Sequence, residues 1–159
     1  MANRYLLPVY AYIFDEPFNY SSFAKRLKMQ KAIYLLQEMG VPVGDYGFTW
    51  YKHGPYSQRL LDDAYCAIDN GTALNLDILT SDNRRAINQL KDILTAPSAQ
   101  YSISDWCECI ASIHYLRQKM LPRSCSDEQV ISSLERRKPH LNDHHANMKA
   151  LGFVNYLFA

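Results

Sequence analysis

The sequence predicts a mainly α-helical single domain with a small amount of β-structure. Its 159 residues suit one compact domain, and 48% apolar residues are enough to form a sizeable core. Most apolar residues recur with helical spacing, and Gly, Pro and N-cap residues separate these stretches. We therefore expect one compact domain with a winged-helix-like first half, residues 1–96, that carries a small β-wing. A helical bundle, residues 97–159, is expected to follow.

An apolar run from Tyr5 to Phe14 resembles the front of a secretory signal. Pro8 interrupts the run, however, and Asp15-Glu16-Pro17 follows it without a small-residue cleavage site. No apolar stretch approaches the roughly 20 residues that cross a bilayer. The four cysteines are irregularly spaced and give no disulfide framework. We expect a cytoplasmic protein with reduced thiols and no membrane association.

The first long helix is predicted from about Ser22 to Met39, and Gly40 ends it. A short aromatic segment from Phe48 to Tyr51 is typical of a β-strand, and His53-Gly54-Pro55 predicts a turn after it. The positions of this helix that are expected in the core are Phe23, Leu27, Tyr34 and Leu35.

A second helix is predicted from Ser57, its N-cap, to the stop at Asn70-Gly71. Alternation of apolar residues from Leu74 to Ile78 predicts a half-buried strand, which would be the wing. Ser81-Asp82 then predicts the cap of another helix, and the order of these elements suggests a winged helix. The residues at helical spacing in the second helix are Leu60, Leu61, Ala64, Tyr65 and Ile68.

The second half is predicted to be purely helical. A central packing helix is expected from Ser104 to about Met120, and Pro122 ends it. Ser126 with Gln129 forms a capping-box pattern that begins a shorter helix. A last helix is expected between about residues 142 and 157.

Candidate metal ligands form no recognised pattern. Cys107 and Cys109 are two apart on a predicted helix, so their thiols point about 200° apart and cannot easily hold one ion. Their expected role is buried packing. His140, His144 and His145 lie near the start of the last helix, where a three-histidine site stays open. We expect no metal and no other cofactor.

No arrangement of residues indicates catalysis. His53 and Ser57 lie around a turn that lacks a nucleophile elbow. Asp62 and Asp63 are adjacent on a predicted helix and therefore diverge by about 100°. The sequence has no phosphate-binding loop or dinucleotide fingerprint. We expect that the protein is not an enzyme and has no catalytic residues.

The local charge of the predicted winged helix disfavours DNA binding. The helix that would enter the major groove carries Arg59 against Asp62, Asp63 and Asp69, and the predicted wing has no Lys or Arg. The formal net charge of the whole chain is only +1. We do not expect nucleic-acid binding at physiological salt, and a winged-helix transcriptional regulator is kept as the alternative function.

Two segments of the first half carry a family resemblance. Lys28-Met29-Gln30-Lys31, followed by Tyr34-Leu35-Leu36, resembles the "LQKLLYLL" helix of bacterial Panacea-type domains and of the uncharacterised YwgA-like proteins. His53-Gly54-Pro55-Tyr56-Ser57 resembles their Gly-Pro turn. In the second half, the segment from Trp106 to Leu116 and Lys138-Pro139 resemble the YwgA-like pattern.

The resemblance covers nearly the whole chain and implies a protein-binding role. Panacea domains occur in antitoxins that neutralise toxins by direct binding, and in an adaptor that delivers a toxin to a protease. Many Panacea members have Gly-Pro-Val where this chain has Gly-Pro-Tyr-Ser, which is closer to the YwgA-like branch. The resemblance thus implies an antitoxin-like neutraliser or an adaptor of a bacterial or phage toxin or effector.

Aromatic residues around the Gly-Pro turn are the candidate partner-binding surface. Tyr and Arg side chains often dominate protein interfaces, and a rigid turn would hold them at low entropic cost. The same rings could instead seal the core, and the sequence leaves homodimer formation open. The predicted partner-binding residues are Tyr46, Tyr51, His53, Tyr56 and Arg59, and the predicted structural turn is Gly54, Pro55 and Ser57.

Overall fold

The computed structural model describes residues 3–70, 76 and 79–159 of the chain. This part contains seven α-helices and a two-stranded antiparallel sheet, so the predicted mainly α-helical class is confirmed. The helices are α1 Leu6–Phe14, α2 Phe23–Glu38, α3 Gln58–Asn70, α4 Ser81–Leu94, α5 Ile103–Tyr115, α6 Asp127–Arg137 and α7 His144–Leu157.

The sheet is a hairpin of β1, Thr49–Tyr51, and β2, Gly54–Tyr56. Tyr51 pairs with Gly54, so Lys52 and His53 form a two-residue turn. The sequence predicted the first strand and interpreted the second as part of a turn, because Gly and Pro are rare in strands. The wing predicted between Leu74 and Ile78 lies outside the described residues, apart from Leu76.

Helix α5 is the centre of the core. Trp106, Ile110 and Ile113 are fully buried on it, and it packs against α2 from the first half and α7 from the second. The buried apolar residues of both halves form one continuous cluster. The first 96 residues and the rest of the chain therefore share a single core.

The apolar run at the start of the chain forms α1, which the sequence analysis did not predict. Leu6, Val9 and Ile13 on α1 are buried in the core, and Pro8 is in the first turn, where a missing N–H is tolerated. Lys91 of α4 donates from Nζ to a carbonyl near the end of α1, that of Tyr12, at 2.6 Å. Among the described residues, no helix combines the length and apolar character required to span a membrane.

Side-chain caps set the starts of most helices near the predicted positions. The predicted capping box of Ser126 and Gln129 is present at α6. Ser22 caps α2, but Thr80, one residue before the predicted Ser81, caps α4 through its hydroxyl. The predicted central helix also ends where expected, because α5 continues directly into a π-helical turn, Leu116–Met120.

Three apolar residues that helical spacing placed on buried faces are exposed. Phe23 is 55% exposed because it is the first residue of α2 and lies beyond the end of the core. Tyr65 and Ile68 are also exposed on α3, because Leu60 and Ala64 occupy the face that meets the core. The apolar arc of α3 is therefore wider than its buried face.

Gly54 begins β2 with a backbone conformation that favours glycine. Its φ angle is +92°, and a Cβ atom at this position would lie 2.3 Å from Oγ of Ser112 on α5. Within the described part of the chain, the buried Oγ of Ser112 has no hydrogen-bond partner. Both the turn and the packing of the hairpin on α5 therefore require glycine here.

We expect Gly54→Ala to lower the free energy of unfolding by about 1–3 kcal/mol, and Gly54→Val by more than about 1 kcal/mol. The double variant Gly54→Ala/Ser112→Ala should recover part of the loss, since it removes the steric conflict but not the strained φ. Gly152→Ala, on an exposed part of α7 with open space around Cβ, is the matched control and should not destabilise. Urea denaturation would measure the free energy of unfolding of all four variants. A Gly54→Ala variant as stable as wild type would contradict the prediction.

Candidate functional site

Two consecutive side chains of α2 attach the hairpin to that helix. The amide of Gln30 donates to the carbonyl of Ser57 at 2.8 Å and accepts from the Ser57 N–H at 3.0 Å. Lys31 donates from Nζ to the carbonyl of Pro55 at 2.7 Å. The helix segment and the turn segment that carry the family resemblance are therefore in direct contact.

The three predicted turn residues lie where β2 meets α3. Gly54 and Pro55 are buried, and the hydroxyl of Ser57 accepts from the N–H of Leu60 at 3.2 Å. Ser57 therefore caps α3. Since its backbone is bonded to Gln30 as well, the start of α3 is tied to α2 at the same point.

A buried carboxylate lies behind the hairpin turn. Glu108 of α5 is only 1% exposed, and its Oε2 is 3.5 Å from Nζ of Lys138 and 2.9 Å from Nε2 of His140. Its Oε1 is 3.3 Å from Nδ1 of His53. We call these four residues the Glu108 cluster.

Lys138 connects this carboxylate to the backbone of the turn. Its Nζ donates to the carbonyls of Tyr51, at 3.2 Å, and of Lys52. It also lies 4.8 Å from the centre of the Trp50 ring. An ammonium group has three N–H bonds, and Glu108 with the two carbonyls supplies three acceptors.

Burial shifts the protonation of the lysines near Glu108. It lowers the pKa of Lys31 to about 7, although the carboxylate of Glu108 acts in the opposite direction. Burial also lowers the pKa of Lys138, again against the effect of Glu108. Both ammonium groups are thus less stable here than in water.

A pocket of about 220 Å³ opens beside this cluster, between α2, the hairpin and α3. Its polar lining residues include Arg26 and Lys31, and no described acidic residue lines it. Phe23 and Tyr51, both more than half exposed, stand at its open side. The complete lining consists of Phe23, Arg26, Leu27, Gln30, Lys31, Tyr51, His53, Tyr56 and Leu61.

Aromatic rings around the pocket contact one another in pairs. The centroids of Phe23 and His53 are 5.1 Å apart, and those of Tyr51 and Tyr56 are 5.3 Å apart. The guanidinium of Arg26 lies within 6 Å of two ring centroids, at 5.7 Å from Tyr20 and 5.8 Å from Phe23. We call this surface the aromatic face, and its residues are Tyr20, Phe23, Arg26, Tyr51, His53, Tyr56 and Tyr65. The ring of Tyr65 is in edge-to-face contact with that of Tyr20.

The structure divides the five predicted partner-binding residues into two groups. Tyr51, His53 and Tyr56 line the pocket. Tyr46, in contrast, is only 4% exposed and donates from its hydroxyl to Asp63 at 2.7 Å, so it follows the alternative in which a ring of this set packs in the core. The guanidinium of Arg59 lies over the Tyr46 ring at 4.9 Å and does not line the pocket.

Sequence analysis missed four residues of the aromatic face, which are Tyr20, Phe23, Arg26 and Tyr65. Helical spacing assigned Phe23 to the core. Phe23 is the first residue of α2, however, and it extends past the part of the core that this helix covers. Tyr65 belongs to a second apolar stripe on α3 beside the buried one, and this excess of apolar residues was a usable signal. Arg26 lies three residues after Phe23 on α2, so that spacing was a usable signal, whereas its other aromatic neighbour, Tyr20, lies outside the helix.

Cys107, Cys109 and His114 are buried in the core. All four cysteines are thiols; burial raises the pKa of Cys107 to about 12 and also raises that of Cys109. His114 is buried, bonded through Nδ1 to the hydroxyl of Tyr34 at 2.7 Å, and burial lowers its pKa to about 4. Cys107, Cys109 and His114 are therefore neutral core groups at physiological pH.

The other polar candidates face separate partners. Asp63 accepts from Tyr46, whereas Asp62 accepts from the side chain of Gln58 at 3.0 Å. His144 lies 3.1 Å from a carboxylate oxygen of Glu135, while His140 contacts Glu108. The adjacent carboxylates and the histidines at the start of α7 are therefore directed to different neighbours.

No family model matches this chain, and neither a curated protein nor a solved structure matches it. The resemblance to Panacea-type and YwgA-like domains stays a prediction from the motifs.

Lys31→Met should change how stability depends on pH. Lys31 has a pKa near 7 in the folded state and near 10.4 in the unfolded state. Its burial therefore lowers the free energy of unfolding of the wild type, and this penalty is complete below pH 7. The penalty disappears as pH rises towards 10. The difference between the two free energies of unfolding, that of wild type minus that of Lys31→Met, should therefore rise by up to about 1.4 kcal/mol per pH unit.

Chemical denaturation at intervals between pH 7 and 10 would measure this difference. Lys149→Met, an exposed position on α7, is the control and should follow the wild-type profile. A constant difference between wild type and Lys31→Met over this range would show that Lys31 is not desolvated.

Proposed function

We propose that this chain is a non-catalytic protein-binding module that captures its partner on the aromatic face. The observation that carries the proposal is the exposure of Phe23 and Tyr51, which are each more than half accessible and line the same pocket. Exposed large rings next to a cavity are the usual form of an interface anchor site.

The size of the pocket favours a side chain of a partner over a cofactor. Sites for small molecules and cofactors are usually about 300–1,000 Å³. At about 220 Å³, this pocket is smaller and would admit one large side chain. The aromatic pairs around it restrict ring motion before binding, which reduces the entropic cost of an interface.

The charge of the pocket specifies the chemistry of the partner. Arg26 lines it as a permanent cation, without an acidic residue from the described part of the chain, whereas burial lowers the pKa of Lys31 to about 7 and leaves that side chain only partly charged at neutral pH. Arg26 is also held between the rings of Tyr20 and Phe23, so its guanidinium is already oriented. We infer that the partner presents an apolar or aromatic side chain followed closely by a carboxylate.

The biological role that we propose is that of an antitoxin-like neutraliser or an adaptor in the cytoplasm. Support comes from the motif resemblance, which implies capture of a bacterial or phage toxin or effector by direct contact. A DNA-binding role has less support, because exposed α3 residues include Asp62 and Asp69 with Arg59.

A peptide library displayed on phage, panned against the purified chain, tests the inferred chemistry. We expect enrichment of peptides with an aromatic or large aliphatic residue near Asp or Glu. Phe23→Ala, Tyr51→Ala and Arg26→Glu should each weaken the enriched peptides at least tenfold, about 1.4 kcal/mol, with unchanged melting temperature. Tyr156→Ala, at an exposed tyrosine on α7, is the matched control.

Peptides that bind all three variants as they bind wild type would reject the aromatic face as the interface. A loss of melting temperature together with binding would assign the rings to stability instead. Fluorescence polarisation with duplex DNA at physiological salt adds a second arm, in which tight, sequence-selective binding would support the alternative of a regulator.

A further inference from the structure

Three possible metal ligands converge at the outer side of the Glu108 cluster. They are Nδ1 of His53 in the hairpin turn, a carboxylate oxygen of Glu108 on α5, and Nε2 of His140 between α6 and α7. One donor atom from each residue lies within 4.8 Å of the other two. Each contact from an imidazole nitrogen to Glu108 is much closer, at 3.3 Å for His53 and 2.9 Å for His140.

These separations suit a single ion. Ligands that are about 2.0–2.2 Å from a zinc ion in tetrahedral geometry lie about 3.3–3.5 Å from one another. The contact of His53 with Oε1 of Glu108, at 3.3 Å, already has this value, whereas the contact of His140 with Oε2, at 2.9 Å, is a hydrogen-bond distance and has to lengthen. The side chains of His53 and His140 are 42% and 44% exposed, so small ring rotations can bring the two nitrogens closer while Glu108 stays fixed.

We propose that His53, Glu108 and His140 form a binding site for a divalent transition-metal ion, represented by Zn²⁺. Two imidazoles and one carboxylate suit Zn²⁺, Co²⁺ and Ni²⁺, whereas Mg²⁺ and Ca²⁺ prefer oxygen ligands. The solvent-exposed side of the two histidines leaves a fourth position for water. The proposal does not depend on the docking role of the aromatic face.

Lys138 shares Oε2 of Glu108 with His140, so the ion would bind Oε1 and the exposed His140 ring would turn towards it. The ammonium of Lys138 contacts Oε2 of Glu108 and the carbonyls of Tyr51 and Lys52, and this keeps the turn that carries His53 beside Glu108. Oε1 faces His53. The positive charge of Lys138 lowers the affinity for a cation, so selectivity rests on the imidazoles rather than on negative charge.

An ion bound here would link three separate parts of the chain. Residues 53, 108 and 140 belong to the hairpin turn, the central helix and the connection before α7. Sequence analysis expected no metal because it tested neighbouring cysteines and histidines, while these ligands are 55 and 32 positions apart. Binding to the folded state alone would raise the melting temperature.

The test uses the full chain, freed of metal with a chelator, and calorimetric titration with ZnCl₂ at about pH 7.5, where free imidazoles are neutral. We expect one Zn²⁺ per chain, a higher melting temperature with Zn²⁺, and no heat with MgCl₂. His53→Ala and His140→Ala should each lower the affinity at least about tenfold. His145→Ala, an exposed histidine on α7, is the control and should bind as wild type.

A second readout needs no variant. Zn²⁺ should protect His53 and His140, but not His145, from modification by diethyl pyrocarbonate, as mapped by mass spectrometry of the wild-type chain. Lack of saturable binding at one ion per chain, or equal protection of all three histidines, would overturn the proposal. Zn²⁺ affinity that survives both histidine substitutions would overturn it as well.

Discussion

The ion pair between Glu108 and Lys138 is the interaction on which the arrangement of this molecule depends. A carboxylate removed from water costs several kcal/mol unless charge and hydrogen bonds compensate it, and loss of one partner of a buried pair typically costs about 3–5 kcal/mol. Here the compensating ammonium also bonds the turn of the hairpin. The burial of Glu108 on the central helix therefore fixes where residues 51–53 lie.

The hairpin needs this support because it has only two short strands. Isolated two-stranded hairpins are marginal in water, and this one forms no larger sheet among the described residues. On α2, Lys31 bonds Pro55 of the second strand and Gln30 bonds Ser57 just after it, while Lys138 bonds the turn. The rings of Tyr51 and Tyr56 are thereby presented on a backbone that is bonded at both ends.

Much of the fold could be predicted from local patterns, but only part of the site could, namely Tyr51, His53 and Tyr56 in the pocket lining. Helices α2, α5 and α6 follow from apolar spacing and from caps such as Ser126, whose bonds are formed within a few residues. The exposure of Phe23 and the burial of Tyr46 depend on which elements of the fold pack against them. The periodicity of one segment does not predict those neighbours. The Glu108 cluster could not be predicted for the same reason. Its members are separated by tens of residues and meet only through the packing of α5.

The bonds that hold the hairpin have a consequence for the order of folding. Lys31 reaches a carbonyl 24 positions away, and Lys138 reaches one 87 positions away, so the second contact closes a very long loop. Such distant contacts usually form after the local helices and after the first apolar collapse. The surface beside the turn would then reach its final shape only when nearly the entire chain is in place. A nascent or partly unfolded chain would expose the same aromatic residues without their arrangement, so recognition through them would distinguish finished molecules from incomplete ones.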